Sequence, residues 1–216
     1  EIAVVTTGTS EISATLNGVQ AAGIVNVQAF NDQSIISIFS DIFANVPVDN
    51  YNGFYEPFQT TLGGFAEEDG NGIIDYTEFN FVGIEFYGRD GSNVQPVDAT
   101  EMTNFHIDIR PNELISPSDF IRIELINNVG ASQSSGTITI NVAVLAANEW
   151  RSFNIPLANF GLSAQDALGI LLLVSDGTIR TVSLDNIYFS KEVIEPTGNV
   201  NDAGATQAEI PLGFES

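Results

Sequence analysis

The stretch Phe105-His106-Ile107-Asp108-Ile109-Arg110 alternates without a break, placing Phe105, Ile107 and Ile109 on one side of an extended chain and His106, Asp108 and Arg110 on the other. A two-residue period of this kind specifies a strand with one apolar and one polar face. The pattern recurs in Ile121-Arg122-Ile123-Glu124-Leu125, which exposes Arg122 and Glu124. It recurs again in Ile84-Glu85-Phe86-Tyr87-Gly88-Arg89, which sets Glu85, Tyr87 and Arg89 against Ile84 and Phe86. Runs rich in Ile, Val, Phe, Tyr and Thr between Gly, Asn, Asp and Pro clusters predict strands at 35–43, 76–87, 105–109, 121–126, 137–144, 151–155, 169–174 and 181–189. Helix is confined to single turns at 157–160 and 163–168, with Ser163 as N-cap of the second. The fold class that follows is all-β, a β-sandwich with one main domain.

The chain has 216 residues, 44% of them hydrophobic, enough for one well-filled core. Its 28 acidic and 6 basic residues give a formal net charge of −22, a field that repels nucleic acid and anionic membrane surfaces. The same field favours a neutral polymer over a sulfated or uronate-rich one, and it suits a protein working in salty water or near calcium. With no cysteine there is neither a disulfide nor a thiolate site. No run approaches the ~20 apolar residues of a membrane-spanning helix, and no basic-then-apolar leader precedes Glu1. An exported protein would have lost its leader, or the sequence is a piece of a longer polypeptide.

Residues 1–33 hold β-rich phrases such as Ile2-Ala3-Val4-Val5-Thr6-Thr7, read either as an N-terminal extension of the sandwich or as the end of a preceding domain. The sandwich itself is expected over 34–194. Residues 195–216 begin with the linker-like Glu195-Pro196-Thr197-Gly198-Asn199 and end in Ile210-Pro211-Leu212-Gly213-Phe214-Glu215-Ser216, read as the start of a following module or as a tail.

Three phrases carry a family resemblance: Ser37-Ile38-Phe39-Ser40-Asp41, Asn148-Glu149-Trp150-Arg151-Ser152-Phe153-Asn154-Ile155-Pro156-Leu157 and Ser183-Leu184-Asp185-Asn186-Ile187-Tyr188-Phe189. Together they resemble the jelly-roll carbohydrate-binding modules of marine Bacteroidetes, as attached to laminarinases and to surface glycan-binding proteins. The resemblance spans about 35–189. It implies a jelly-roll sandwich that binds a polysaccharide without catalysis, a neutral β-glucan such as laminarin, in a multimodular protein that is secreted or held at the outer cell surface. It also implies a structural role for Trp150 in the core. The family's tryptophan-bearing segment after the His-Ile-Asp phrase is replaced here by Arg110-Pro111-Asn112-Glu113.

The carbohydrate-binding candidates are Glu85, Tyr87, Arg89, His106, Asp108 and Arg110 from the alternating strands, and Tyr51 and Tyr55 from the aromatic loop 49–58, which also contains Phe54. Carboxylates and guanidinium groups bond adjacent hydroxyls in bidentate fashion, and aromatic rings cover the apolar face of a pyranose. The alternatives are a solvated face with cross-strand ion pairs, and aromatics that plug the end of the core.

Two calcium sites are candidates. The resemblance points to a structural ion held by Asp185 and, from the opposite strand, Asp41, with carbonyl oxygens completing the set. The other is the segment 67–78, where Glu67, Asp69, Asn71, Asp75 and Glu78 stand at EF-hand spacing. Its flanks alternate like strands, so a hairpin turning at Asp69-Gly70-Asn71-Gly72 is the preferred reading.

Catalysis finds little support: there is one histidine, no phosphate-binding glycine loop and no Gly-x-Ser-x-Gly elbow. Glu85 with Asp108 are the least unfavourable acid–base pair for a glycoside hydrolase or lyase. A structural or adhesive sandwich repeat of a surface or filament protein is the alternative from another class. Expected partners are a polysaccharide and neighbouring modules, with no nucleic acid and no membrane insertion.

Overall fold

The alternating apolar residues at 105–109 and 121–125 pack between two antiparallel sheets and give the molecule its core. The computed structural model describes residues 8–16, 19–27, 34–53, 55–130 and 132–191. The first compact unit, Glu1–Ser34, contains a two-stranded antiparallel sheet of β1 (Gly8–Leu16) and β2 (Val19–Val27). The second unit begins at Ile35 and holds the sandwich.

One sheet has the order β10-β9-β12-β7-β4, built from β4 (Asn50–Gly53), β7 (Phe81–Glu85), β9 (Ile121–Asn127), β10 (Ser134–Ile140) and β12 (Leu168–Val174). The other has the order β11-β8-β13-β6-β5, with β5 (Leu62–Glu68), β6 (Asn71–Thr77), β8 (Asn104–Pro111), β11 (Arg151–Pro156) and β13 (Val182–Ser190). Its sixth strand, β3 (Ile35–Phe39), pairs with the second half of β13, while β6 pairs with the first half. β13 thus has neighbours on both edges, and all nine of its residues are buried. The all-β sandwich expected from the sequence is the fold observed.

The turn at 69–70 is the expected hairpin turn: Asp69 and Gly70 both have positive φ, and Glu68 stands opposite Asn71. The span 76–87, read as one strand, is two strands in different sheets. Glu78 takes a left-handed conformation (φ 50) after β6, Phe79 drops into the core, and β7 starts at Phe81 in the opposite sheet. Residues 142–144, read as strand, are a single helical turn capped by Asn141. The turn at 157–160 is helical as expected, whereas 163–168 leads directly into β12. Among the described residues no helix is long and apolar enough to cross a membrane. The linker and tail readings at 195–216 lie outside the described residues, as does Phe54.

Candidate functional site

The register of the five-stranded sheet fixes what its outer face presents. Ile123 and Leu125 of β9, Leu171 and Leu173 of β12, and Val82 and Ile84 of β7 belong to the core between the sheets, so their strand neighbours point the other way. Three cross-strand rows result. Ser135, Ile126, Ile170, Glu85 and Asn50 form the first; Thr137, Glu124, Leu172 and Gly83 the second; Thr139, Arg122, Val174 and Phe81 the third. The face therefore has an apolar strip along β12 with polar side chains to either side. Ile126, Ile170 and Val174 are buried although they are not part of the core between the sheets.

On the β7 side the polar group is built around Glu85, which is fully buried. Its carboxylate accepts from Tyr55 Oη at 2.6 Å, from Asn50 Nδ2 at 2.9 Å and from Arg89 Nη1 at 2.6 and 2.8 Å. A buried carboxylate needs this compensation, because an unpaired one is strongly destabilising. Arg89 also lies over the Tyr55 ring, 5.5 Å from its centroid. The bond to Glu85 raises the pKa of the guanidinium. Burial and then the Glu85 carboxylate push the Tyr55 phenol well above its ordinary value, and burial also raises that of Tyr87 beside it. Asp49 ties down the loop that delivers Arg89 by accepting from the Gly88 and Arg89 amides at 3.1 and 2.8 Å. Its carboxyl is held below the usual range by a bond from Ser92 and by those two amides.

Three glycines make room for this layer. A Cβ on Gly53 would lie 2.5 Å from the Glu85 carboxylate, one on Gly83 2.6 Å from Tyr55 Oη, and one on Gly169 2.5 Å from Tyr87 Cβ. Tyr55, Glu85 and Tyr87 therefore lie flat over sheet positions that carry no side chain. These glycines, together with Asn50, were not among the sequence-derived site residues. A lone glycine inside a strand run is a signal for close approach by other atoms, and Gly83, inside the predicted run 76–87, carries it.

On the β9 side stand Arg122 and Glu124, half-buried and adjacent on the same face. Among the described residues neither has a hydrogen-bond or ion-pair partner, and Arg122 Nε is buried without one. Four of the other five basic residues pair with carboxylates: Arg89 with Glu85, Arg110 with Glu68, Arg180 with Glu78 and Lys191 with Glu101.

The structure divides the eight sequence-derived glycan residues. Tyr55, Glu85, Tyr87 and Arg89 come together on the five-stranded sheet, and His106, Asp108 and Arg110 are on the six-stranded one. Tyr51 turns inward, its ring edge-on to Phe39 at 5.4 Å and its carbonyl accepting from the Tyr76 hydroxyl. His106 is only 1% exposed, stacked on Tyr188 at 4.5 Å, with ring nitrogens 2.6 Å from Asn154 Oδ1 and 3.1 Å from Asp108 Oδ1. The second Asp108 oxygen accepts from Asn186 at 2.8 Å. Trp150 is buried, as the resemblance implies, and carries the Arg110 guanidinium over its ring at 4.7 Å.

Asp41 and Asp185 flank the first two residues of β6. Asp41 Oδ2 accepts from the Gly72 amide at 2.7 Å. Asp185 accepts from Asn71 Nδ2 at 3.0 Å and, with its other oxygen, from the Asn186 amide at 2.6 Å. Calcium takes six to eight oxygens, and among the described residues no group of three or more His, Cys, Asp or Glu is gathered to hold a metal. An ion here would use Asp41 Oδ1 and draw Asp185 away from its amide donors, with carbonyls supplying the rest. In the 67–78 segment Asp75 accepts from Ser183 and Asn112, and Glu78 pairs with Arg180. The hairpin thus spreads Glu67, Asp69, Asn71, Asp75 and Glu78 along two strands and their ends.

No family model matches the chain, and no curated protein matches it. Solved structures do. A family 30 carbohydrate-binding module superposes with a TM-score of 0.52 at 16% identity, covering 77% of this chain and 92% of that one. The family 30 module of a cellulosomal cellulase of Clostridium thermocellum gives a TM-score of 0.51 at 16% identity, covering 74% and 99%. At this identity the likeness is one of fold.

Proposed function

We propose that the chain is a non-catalytic module that binds a neutral polysaccharide, a β-glucan such as laminarin, on the outer face of its five-stranded sheet. The observation that carries this reading is the unpaired Arg122–Glu124 couple facing the Glu85–Tyr55–Arg89 group across an apolar strip. The two polar walls stand two strand spacings apart, ~10 Å, with Ile170, Leu172 and Val174 between them. A pyranose has the matching chemistry, with apolar C–H surface for the strip and hydroxyls that both donate and accept. A carboxylate or sulfate would satisfy Arg122 but meet Glu124, and an amine would do the reverse. A neutral diol satisfies both. The fold shared with modules named as carbohydrate-binding supports the same reading.

Polymer binding fits a secreted or cell-surface protein whose neighbouring modules carry the chemistry, and we assign the chain to that setting. We also assign a structural calcium to Asp41 and Asp185, on the ground that both carboxylates converge on the start of β6, near the point where β13 changes partner from β6 to β3. The test of binding is a glycan array followed by titration calorimetry on the leading hit. Neutral β-glucans should dominate with little salt dependence. Preference for alginate or carrageenan would overturn the neutral assignment, and no retained glycan would return the chain to the structural-repeat class.

A further inference from the structure

We propose that the six-stranded sheet carries a second glycan site, so that one chain holds two separate segments of neutral polysaccharide on opposite sides of the sandwich. The inference rests on the polysaccharide reading above and extends it to a face that reading does not use. A depression of about 540 Å³ crosses this sheet from β5 over β6 to Arg110 on β8 and to Asn148 in the loop before β11, a volume within the ordinary range for small-ligand sites. It contains a small apolar patch among mainly polar residues. Ile73 is buried yet not part of the core between the sheets, and Ala66 stands opposite it on β5.

The polar wall is tied together by its own hydrogen bonds. Arg110 rests on Trp150 and donates to Glu68 at 2.6 Å, to Asn112 Oδ1 at 3.0 Å and to Ser183 Oγ at 3.1 Å. Asn112 and Ser183 in turn both donate to Asp75 Oδ1, at 3.2 and 2.7 Å. Side chains already held by such bonds lose little entropy on binding. It also has capacity to spare. Three of the five guanidinium N–H groups are used, Asp75 keeps its second oxygen, and the Asn148 amide has no side-chain partner among the described residues. Spare donors and acceptors thus stand beside the apolar patch of Ile73 and Ala66, which suits a polyol. Glu67, Glu68 and Asp75 outnumber Arg110 at the same site, which disfavours an anion.

The two faces lie on either side of sheets stacked ~10 Å apart, so one short oligosaccharide cannot engage both. Equilibrium dialysis of the full chain with a β-1,3-linked glucose hexasaccharide tests the proposal. Two molecules should bind per chain. Ala66→Trp, which fills the depression from the edge strand, and Arg122→Ala, which opens the other face, should each leave one, and the double variant none. Asn148→Gly keeps the positive φ of that position and should weaken the second event several-fold without lowering the melting temperature. One hexasaccharide per chain, lost in Arg122→Ala and kept in Ala66→Trp, overturns the second site and leaves the first intact. No binding by the unaltered chain overturns both. Two bound in both Ala66→Trp and Asn148→Gly would show that the second site lies elsewhere.

Discussion

Gly83 lies directly beneath Tyr55: a Cβ at position 83 would stand 2.6 Å from the phenol oxygen, which is itself 2.6 Å from Glu85. The tyrosine can reach the buried carboxylate only because the sheet is bare at that point. Gly83→Ala should push the ring off and break the Tyr55–Glu85 bond. Tyr55 is half-exposed and its hydroxyl can rehydrate, so the expected loss is toward the low end for a charged-acceptor bond, ~1–2 kcal/mol. Chemical denaturation of Gly83→Ala, Tyr55→Phe and the double variant gives the coupling. Strictly additive effects would show that the two residues do not act on each other.

The alternation in 105–110 was legible because a two-residue period leaves only one way to bury three large apolar side chains. The division of 76–87 between two sheets was not, since Glu78 and Phe79 continue a β-like composition while the backbone turns through a left-handed residue. The same limit applied to the site. Period two grouped Glu85 with Tyr87 and Arg89, and His106 with Asp108 and Arg110, but nothing local says that β7 and β8 belong to different sheets. Strand partners are set by the register of distant segments, and only that register separates the two faces.

Four of the five tyrosines, Tyr51, Tyr55, Tyr76 and Tyr87, have phenols whose pKa is raised chiefly by burial. The folded state therefore binds these protons more tightly than the unfolded state, where tyrosine titrates near ~10. Their contribution to stability is complete below that value and is lost as pH rises toward the folded values. Alkaline titration followed by tyrosinate absorbance and circular dichroism should show ionisation arriving together with unfolding. Four phenols ionising near ~10 in an intact fold would contradict the structure. At the acid end Asp49 works in the opposite sense: its lowered pKa gives stability present above ~3.9 and lost as pH falls through the folded value, so the 88–92 turn should loosen first.

The calcium assignment is tested by melting with and without chelator. Metal bound to the native state alone stabilises by mass action, ~2.7 kcal/mol at a hundredfold excess over the dissociation constant. Chelation should lower the melting temperature of the unaltered chain, and Asp185→Asn should remove that sensitivity. Asp69→Asn, at the tip of the 69–70 turn, should leave it unchanged. Melting curves indifferent to both calcium and chelator would reject the assignment, and sensitivity lost only in Asp69→Asn would move the ion to the hairpin.

Arg122 offers a separation of stability from binding that a purely structural residue would not give. Its Nε is buried without a partner, so the folded state carries an uncompensated polar group whose desolvation is worth ~1–3 kcal/mol. Arg122→Ala removes that penalty along with the packing of the aliphatic stem, and the two changes oppose each other. The melting temperature should therefore move little or rise. Measured in the Ala66→Trp background, where only this face binds, retention on an affinity gel containing laminarin should fall at least tenfold, corresponding to lost charge-assisted hydrogen bonds worth ~1.4 kcal/mol or more. Glu124→Gln, which keeps the shape and one acceptor, should weaken retention less. A clear drop in melting temperature with unchanged retention would make Arg122 a packing residue and remove the β9 wall from the site.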